Sequence, residues 1–401
     1  MADEVIKNTG EGGIDRLLTR NVEDVFVEAD LRKDLVSGKK LRVKLGFDPT
    51  GADIHIGRAI TLWKLKEFQD LGHTIVFLVG DFTALIGDAS DKLSKRPMLT
   101  EAEIKKNLTT YKEQVSKIID LSKAEFVFNN TWLSTLSLKD LIALAESFSI
   151  QQMSSRRNFK ERFDKGDEVS LHEFLYPLLQ GYDSVALKAD VEIGGFDQLF
   201  NLKAGRIIQK HFRMKEQNVL TTKMLLGTDG RKMSTSWGNC IFINDEPSIM
   251  FGKVMSLKDE LIPDYFGFTT DATEAEVAKI KERLSGGENP KNIKLELAER
   301  LVGIYWGVAA ATKAHKDFSE TFEKGGVPEN IPEVTVAQGV LLSDVLLEAK
   351  IIESKSEWQR LVKEGAVAFK EGKDVTDPKA MVEKAGDLKV GKRRFLRIKI
   401  S

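Results

Sequence analysis

Cysteine is almost absent from this 401-residue chain: Cys240 is the only one. A disulfide framework within the chain is thereby excluded, and a reducing setting, the cytoplasm, fits that usage. Histidine is scarce as well. The five (His55, His73, His172, His211 and His315) never fall at ligand spacing from one another or from Cys240, so no protein-bound metal is expected. No apolar run reaches the length of a bilayer crossing, which removes the helical membrane-spanning class. The opening MADEVIKNTGEG lacks the apolar stretch of a secretory signal and reads as a frayed tail.

Net charge is nearly missing too, at −1, but its distribution is uneven. From residue 384 onward, seven bases (Lys384, Lys389, Lys392, Arg393, Arg394, Arg397, Lys399) stand against one acid, Asp387. A basic end on a balanced body suits a polyanionic partner, although a solvated surface strand would carry the same charges. What is present is a globular composition, 42% apolar and 30% charged, on a chain long enough for two or three domains.

Residues 14–40 read as polar helical sequence. LRVKLGF (41–47) then reads as a strand closed by the turn Asp48-Pro49-Thr50-Gly51. Residues 57–71 have helical spacing, with Ile60, Trp63, Leu65 and Phe68 as the buried face. TIVFLVG (74–80) is a continuous apolar run, the pattern of a strand covered on both faces. A helix at about 102–121 leads to AEFVFN (124–129). This strand–helix alternation predicts an α/β fold with a doubly wound parallel sheet. Helices at 171–188 and 197–213 flank the strand VEIGG (191–195). A loop rich in Gly, Ser and Thr (225–239) follows, then a helical region (246–318). The Gly/Pro linker EKGGVPENIPEV (323–334) precedes a small α+β module.

Two segments carry chemistry. GFDPTGADIHIG (46–57) sits where a strand turns into a helix, the place at which open α/β sheets bind ligands. Gly57 lets backbone approach a ligand at the helix start, where free N–H groups favour phosphate, and Thr50 and His55 add donors. A core or capping histidine is the competing reading of His55. In KMSTS (232–236), Lys232 stands among hydroxyls on a flexible loop that can close over a pyrophosphate, where a plain solvated loop is the alternative. Further on, Ser170 and Glu173 form a capping box for a helix. Tyr176, Gln180 and Asp183 then share one helix face at i, i+4 and i+7. Pro177 is expected to kink or shorten the first turns of that helix.

His-Ile-Gly after a strand together with KMSTS is the pattern of class I aminoacyl-tRNA synthetases. Within that class the chain resembles bacterial tyrosyl-tRNA synthetases over nearly its whole length. The resemblance rests on GFDPT (46–50), VGDFTALIGDAS (79–90), EFLYPLLQGYDS (173–184), GGFDQ (194–198) and GRKMSTS (230–236). The C-terminal AKIIESKSEWQRLVKEGAVAF (349–369) and VGKRRFLRI (390–398) are similar to an S4-type RNA-binding domain. The resemblance implies a Rossmann-like catalytic domain (1–245) with a dimerisation insertion around 130–180, a helical anticodon-side domain (246–330) and an S4-like domain (331–401). The implied reaction joins L-tyrosine to ATP, then passes the tyrosyl group to tRNA(Tyr). ATP would come with magnesium, and the enzyme would be a cytoplasmic homodimer. LIALAESFSI (141–150) is offered as subunit contact or as an internal core helix.

Residue by residue, the resemblance implies that Asp88, Tyr176 and Gln180 hold the substrate ammonium, that Asp183 accepts from the phenol, and that Gln198 meets the carboxyl end. Asp48 and Gly195 would line the nucleotide site, beside Gly57 and Arg58, and Asp197 would bind the ribose. Ser234, Thr235 and Ser236 would help on the phosphates, and Lys92 and Arg96 would meet the pyrophosphate. Thr50, His55, Lys232, Lys92 and Arg96 would stabilise the transition state. Lys355, Arg360, Lys363, Lys392, Arg393 and Arg394 are candidates for RNA contact.

Three positions depart from the family's usual pattern. Arg58 replaces the second histidine of HIGH, and Thr235 replaces the second lysine of KMSKS. Lys44 stands where many relatives place a tyrosine facing the phenol. A fixed cation in a helix's first turn opposes the macrodipole, so Asp48, Asp53 or an ATP phosphate is expected to offset Arg58. Two other readings remain at this point: a tryptophanyl enzyme, which shares the fold, and a binding protein that has lost activation.

Overall fold

The computed structural model describes residues 10–88, 99–322, 331–352, 354–370, 374–391 and 394–400. Strands form where apolar and β-branched residues run together. They are β1 (Val22–Phe26), β2 (Arg42–Phe47), β3 (Thr74–Val79), β4 (Ala124–Phe128), β5 (Val191–Gly195) and β6 (Asn218–Thr222). Their order in the sheet is β1-β6-β5-β2-β3-β4. All neighbours from β6 to β4 are parallel, and β1 closes the edge antiparallel to β6. In β3, Ile75, Val76, Phe77, Leu78 and Val79 are all buried, as a strand covered on both faces requires. The expected doubly wound parallel sheet is therefore present.

Residues 14–40 depart from the polar helix expected there. Helix Gly10–Thr19, β1 and helix Glu28–Val36 occupy that stretch. Strand β2 is the switch point: β3 and β4 lie to one side of it, β5 and β6 to the other. The carboxyl ends of these strands open a crevice there.

Helix α1 (Ile56–Asp70) leaves the end of β2 and buries Ile60, Leu65 and Phe68, as expected. Trp63 is half-buried instead, donating its Nε1–H to Tyr305 Oη at 3.2 Å. Helix α2 (Leu171–Leu187) is continuous through Pro177, so the proline does not shorten it. Its first turn is held by the Ser170 N–H on Glu173 Oε1 (2.9 Å) and by the buried Arg162–Glu173 ion pair (2.6 Å). Helix α3 (Leu199–His211) packs along α2.

The chain divides into two compact units, 1–246 with 253–305, and 247–252 with 306–401. The helical stretch 253–305 is thus grouped with the sheet rather than standing as a separate unit. The second unit contains a small sheet of order β7-β10-β9-β8: β7 (Glu333–Val336), β8 (Val367–Phe369), β9 (Gly386–Val390) and β10 (Arg394–Ile400). Helix α4 (Lys355–Lys363) covers it, burying Trp358, Leu361 and Val362. Three bases of the tail are paired locally. Arg397 clamps Asp387 (2.7 Å), Lys399 pairs with Glu333, and Arg394 pairs with Glu357 (2.9 Å).

Candidate functional site: a cleft at the carboxyl ends of the strands

The turn after β2 and the start of α1 are built around His55. It is the N-cap of α1, and its Nδ1 accepts from the Arg58 N–H at 3.2 Å. The capping role weighed from the sequence is real, and it coexists with a place in the cleft. Burial, then the nearby cations Arg58 and Lys232, push the His55 pKa down to about 3. The ring is neutral at physiological pH, and since Nδ1 accepts, Nε2 carries the proton. A Cβ on Gly57 would lie 3.1 Å from His55 Nδ1 and 3.2 Å from Met233 Sδ. The His55 turn and the loop carrying Lys232 therefore meet across this glycine.

Arg58 donates to Thr50 Oγ1 at 3.3 Å and lies 5.6 Å from the centre of the Phe47 ring. Guanidinium is a donor only, so the Thr50 hydroxyl accepts from it and keeps its own proton for a further partner. On the facing loop, Lys232 pairs with Asp197 Oδ2 at 3.4 Å. Asn239 organises that loop: its Oδ1 accepts from the Ser234 N–H (2.8 Å), and its Nδ2 donates to Asp229 (2.8 Å) and to the Lys232 carbonyl (3.0 Å).

Deeper in the cleft, Asp48 accepts from Tyr176 Oη (2.9 Å) and Thr83 Oγ1 (2.8 Å). Gly80 makes room for this: a Cβ there would fall 2.0 Å from Asp48 Oδ1 and 2.4 Å from Thr83 Oγ1. Gly80→Ala is accordingly expected to destabilise the protein by about 1–3 kcal/mol through overpacking. The urea midpoint measures it, and an unchanged midpoint would mean that the Asp48 side chain has room to move.

Asp88 accepts from Gln198 Nε2 (2.7 Å) and Asn201 Nδ2 (3.2 Å), with Arg156 at 3.9 Å. Asp183 is buried on α2. Its two oxygens accept from Trp132 Nε1 (2.8 Å) and Asn129 Nδ2 (3.2 Å). Burial pushes the Asp183 pKa up to about 7, against the pull of Lys44 and of these two donors.

These groups line one cavity of about 220 Å³. Thr50, His55, Gly57, Arg58 and Lys232 lie in its wall, as do Asp48, Gly195, Asp197, Asp88, Tyr176, Gln180, Asp183 and Gln198. Ser234 and Thr235 are outside that lining. Lys92, Arg96, Lys392 and Arg393 lie outside the described residues, as does the side chain of Ser236. In the second unit, Arg360 and Lys363 are exposed, Lys355 pairs with Asp344 (2.9 Å), and Arg394 also donates to the Ile351 carbonyl (2.6 Å). Sequence reasoning missed Trp132, Asn129, Thr83, Asn201 and Glu192. Asn129 alone carried a signal, because it ends a strand at the carboxyl edge of the sheet.

Residues 37–323 match the family model for class I tRNA synthetases (W and Y). A tyrosine–tRNA ligase 2 of Pseudoalteromonas translucida is 44% identical over 390 residues, 96% of this chain and 98% of that protein. The tyrosine–tRNA ligase of Thermotoga maritima is 44% identical over 387 residues, 96% of each chain. Among solved structures, a tyrosyl-tRNA synthetase from Archaeoglobus fulgidus in complex with L-tyrosine superposes with a TM-score of 0.61 at 24% identity, covering 76% of this chain and 99% of that one. At that identity it speaks to the fold alone. The chain belongs to the tyrosyl-tRNA synthetase family of class I aminoacyl-tRNA synthetases.

Proposed function

We infer that this chain is a tyrosine–tRNA ligase that activates L-tyrosine with ATP and then transfers the tyrosyl group to the 3′ end of tRNA(Tyr). The carrying observation is the shared cavity: the His55 turn, Lys232 and the buried Asp183 carboxylate all line it. In the first step the tyrosine carboxylate, already ionised, attacks the α-phosphorus, and pyrophosphate leaves. No general base is needed. Catalysis is positioning and stabilisation of charge on the pentacoordinate phosphorus. Thr50, with its proton free of Arg58, the fixed Nε2–H of His55 and the ammonium of Lys232 supply that stabilisation. ATP enters as its magnesium complex, the ion held mainly by the phosphates.

At the amino-acid end, Asp183 accepts from the phenol in addition to its two protein donors, and phenylalanine would leave the buried carboxylate one hydrogen bond short. Asp88, Tyr176 and Gln180 receive the ammonium, and Gln198 the carboxyl end. Asp197 takes the ribose, which requires Lys232 to exchange its carboxylate partner for phosphate. The exposed bases Arg360 and Lys363 support an RNA role for the C-terminal module. The insertion supports a homodimer through Leu138 and Ile142, which are 74% and 63% exposed on one helix. The opposite side of that helix buries Leu144. No helix among the described residues is long and apolar enough to cross a membrane, and the cytoplasm is the proposed compartment.

Exchange of labelled pyrophosphate into ATP tests the reading. Dependence on tyrosine alone is expected. Dependence on tryptophan would transfer the chain to the tryptophanyl enzymes, and no exchange would leave a binding protein. The tRNA Kd should rise steeply with salt, because phosphate contacts release counterions, and a salt-independent Kd would remove the C-terminal bases from the interface.

A further inference from the structure

Lys44 and Glu192 are both 1% exposed and form an ion pair of 2.9 Å between β2 and β5, on the wall of the cleft. Their valences are filled. Lys44 has three N–H donors, and they go to Glu192 Oε1, to Ser184 Oγ (2.9 Å) and to the Gln180 carbonyl (3.2 Å). Glu192 receives four: Lys44 and Gln180 Nε2 (3.1 Å) on Oε1, Ser184 Oγ (3.1 Å) and Gln217 Nε2 (2.5 Å) on Oε2. A carboxylate has about four acceptor sites, so this one is saturated. The pair therefore has nothing left for a substrate, and Lys44 has no N–H to spare for a phenol.

We propose that Lys44 and Glu192 are positioning residues that fix the side-chain amide of Gln180 with its oxygen available as an acceptor for the substrate ammonium. Glu192, paired with Lys44, is the acceptor in all four of its contacts. The Gln180 amide must then turn its NH₂ edge toward it, whichever way the two ends are drawn. The oxygen faces away from Glu192, as an acceptor, and Gln180 lines the cleft. Without a fixed carboxylate the amide could turn over and present N–H groups to a cation. Lys44 also ties β2 to the Gln180 carbonyl, so the same pair sets where on α2 that amide is displayed. The inference rests on the reading of the cleft as a tyrosine site.

The test compares binding of L-tyrosine with that of 3-(4-hydroxyphenyl)propionate, which keeps the phenol and carboxylate and lacks the ammonium. Isothermal titration of the full chain without ATP gives both constants. The double variant Lys44→Met/Glu192→Gln removes both charges together and keeps the volume, so no buried charge is stranded. Its tyrosine Kd should rise about tenfold or more, the scale of a hydrogen bond to a charged group, while the propionate Kd stays within about twofold. Glu192→Gln alone, which leaves Lys44 its bonds to Ser184 and Gln180, should shift the same ratio in the same direction. Equal weakening of both ligands would reduce the pair to a structural support, and an unchanged ratio would also overturn the proposal. If the parent protein does not prefer tyrosine over the propionate, the tyrosine reading of the cleft fails with it. A parent preference retained by both variants sinks only the role of Lys44 and Glu192.

Discussion

In a His55→Asn variant, tyrosine-dependent pyrophosphate exchange is expected to fall about 10²–10³-fold, the usual effect of removing one preorganised donor from a developing charge. The thermal midpoint should hardly move. The two outcomes separate because His55 has two tasks on two nitrogens. Nδ1 caps α1 by accepting from the Arg58 N–H, and Nε2–H is the donor left for phosphate. Asparagine ranks among the best N-cap residues and has no group at the position of Nε2. His55→Ala loses both tasks, so it should be as slow and also less stable by about 0.5–2 kcal/mol. The imidazole pKa lies near 3, far below the working range, so His55 contributes no pH limb to the exchange rate between pH 6 and 8. Normal exchange by His55→Asn would demote His55 to a cap alone. A midpoint lowered as far as in His55→Ala would mean that the asparagine does not cap.

The parts of the fold legible in the sequence were those where one physical rule acts alone. Strand β3 is apolar because a central parallel strand is covered on both sides, and α1 and α2 show their buried faces at helical spacing. Strand β1 was not legible. VEDVF carries two acids and lies at a sheet edge, where only one neighbour, β6, specifies it. Five residues between two helices are too few to separate a period of 2 from one of 3.6.

The cleft divides in the same way. Asp48, His55, Asp88, Asp183 and Lys232 all stand in the motifs and segments that the resemblance singled out, and all line one cavity. Residues that hold those residues are set by three-dimensional packing. Trp132 reaches Asp183 across 51 positions, and Gln217 reaches Glu192 across 25. Arg58 illustrates the limit from the other side. Its departure from HIGH was visible, but its use was not. Asp48, Asp53 or an ATP phosphate was the expected partner; in the protein alone the guanidinium bonds the Thr50 hydroxyl and lies near the Phe47 ring.

The buried carboxylate on α2 leads to a prediction in pH. For tyrosine, kcat/KM of activation should rise with pH through a midpoint near 7, and in an Asp183→Asn variant the profile should be flat over the same range. Burial raises the Asp183 pKa to about 7; Lys44 on β2 and the donors Trp132 and Asn129 oppose the rise, and Glu192 on β5 adds to it. Above that midpoint the group is an ionised acceptor, able to take the phenol proton along with its two protein donors. Below it, one oxygen carries a proton of its own among Trp132, Asn129 and the phenol, and one donor goes unpaired.

Turning one acceptor oxygen into an NH₂ that faces a donor costs about 1–3 kcal/mol, so at pH 8 the asparagine variant should be roughly ten- to a hundredfold poorer toward tyrosine. Its penalty for phenylalanine should shrink, because an amide is less costly than a carboxylate to leave one hydrogen bond short. Stability gives an independent readout with a definite sign. A carboxyl whose folded pKa lies above its ordinary value binds its proton more tightly in the folded state. That contribution is fully present below about pH 4 and is lost as pH rises toward 7. The midpoint difference, variant minus parent, should therefore grow more positive between pH 5 and pH 8. A constant difference would place the Asp183 pKa outside that range, and the rise in kcat/KM would then need another titrating group.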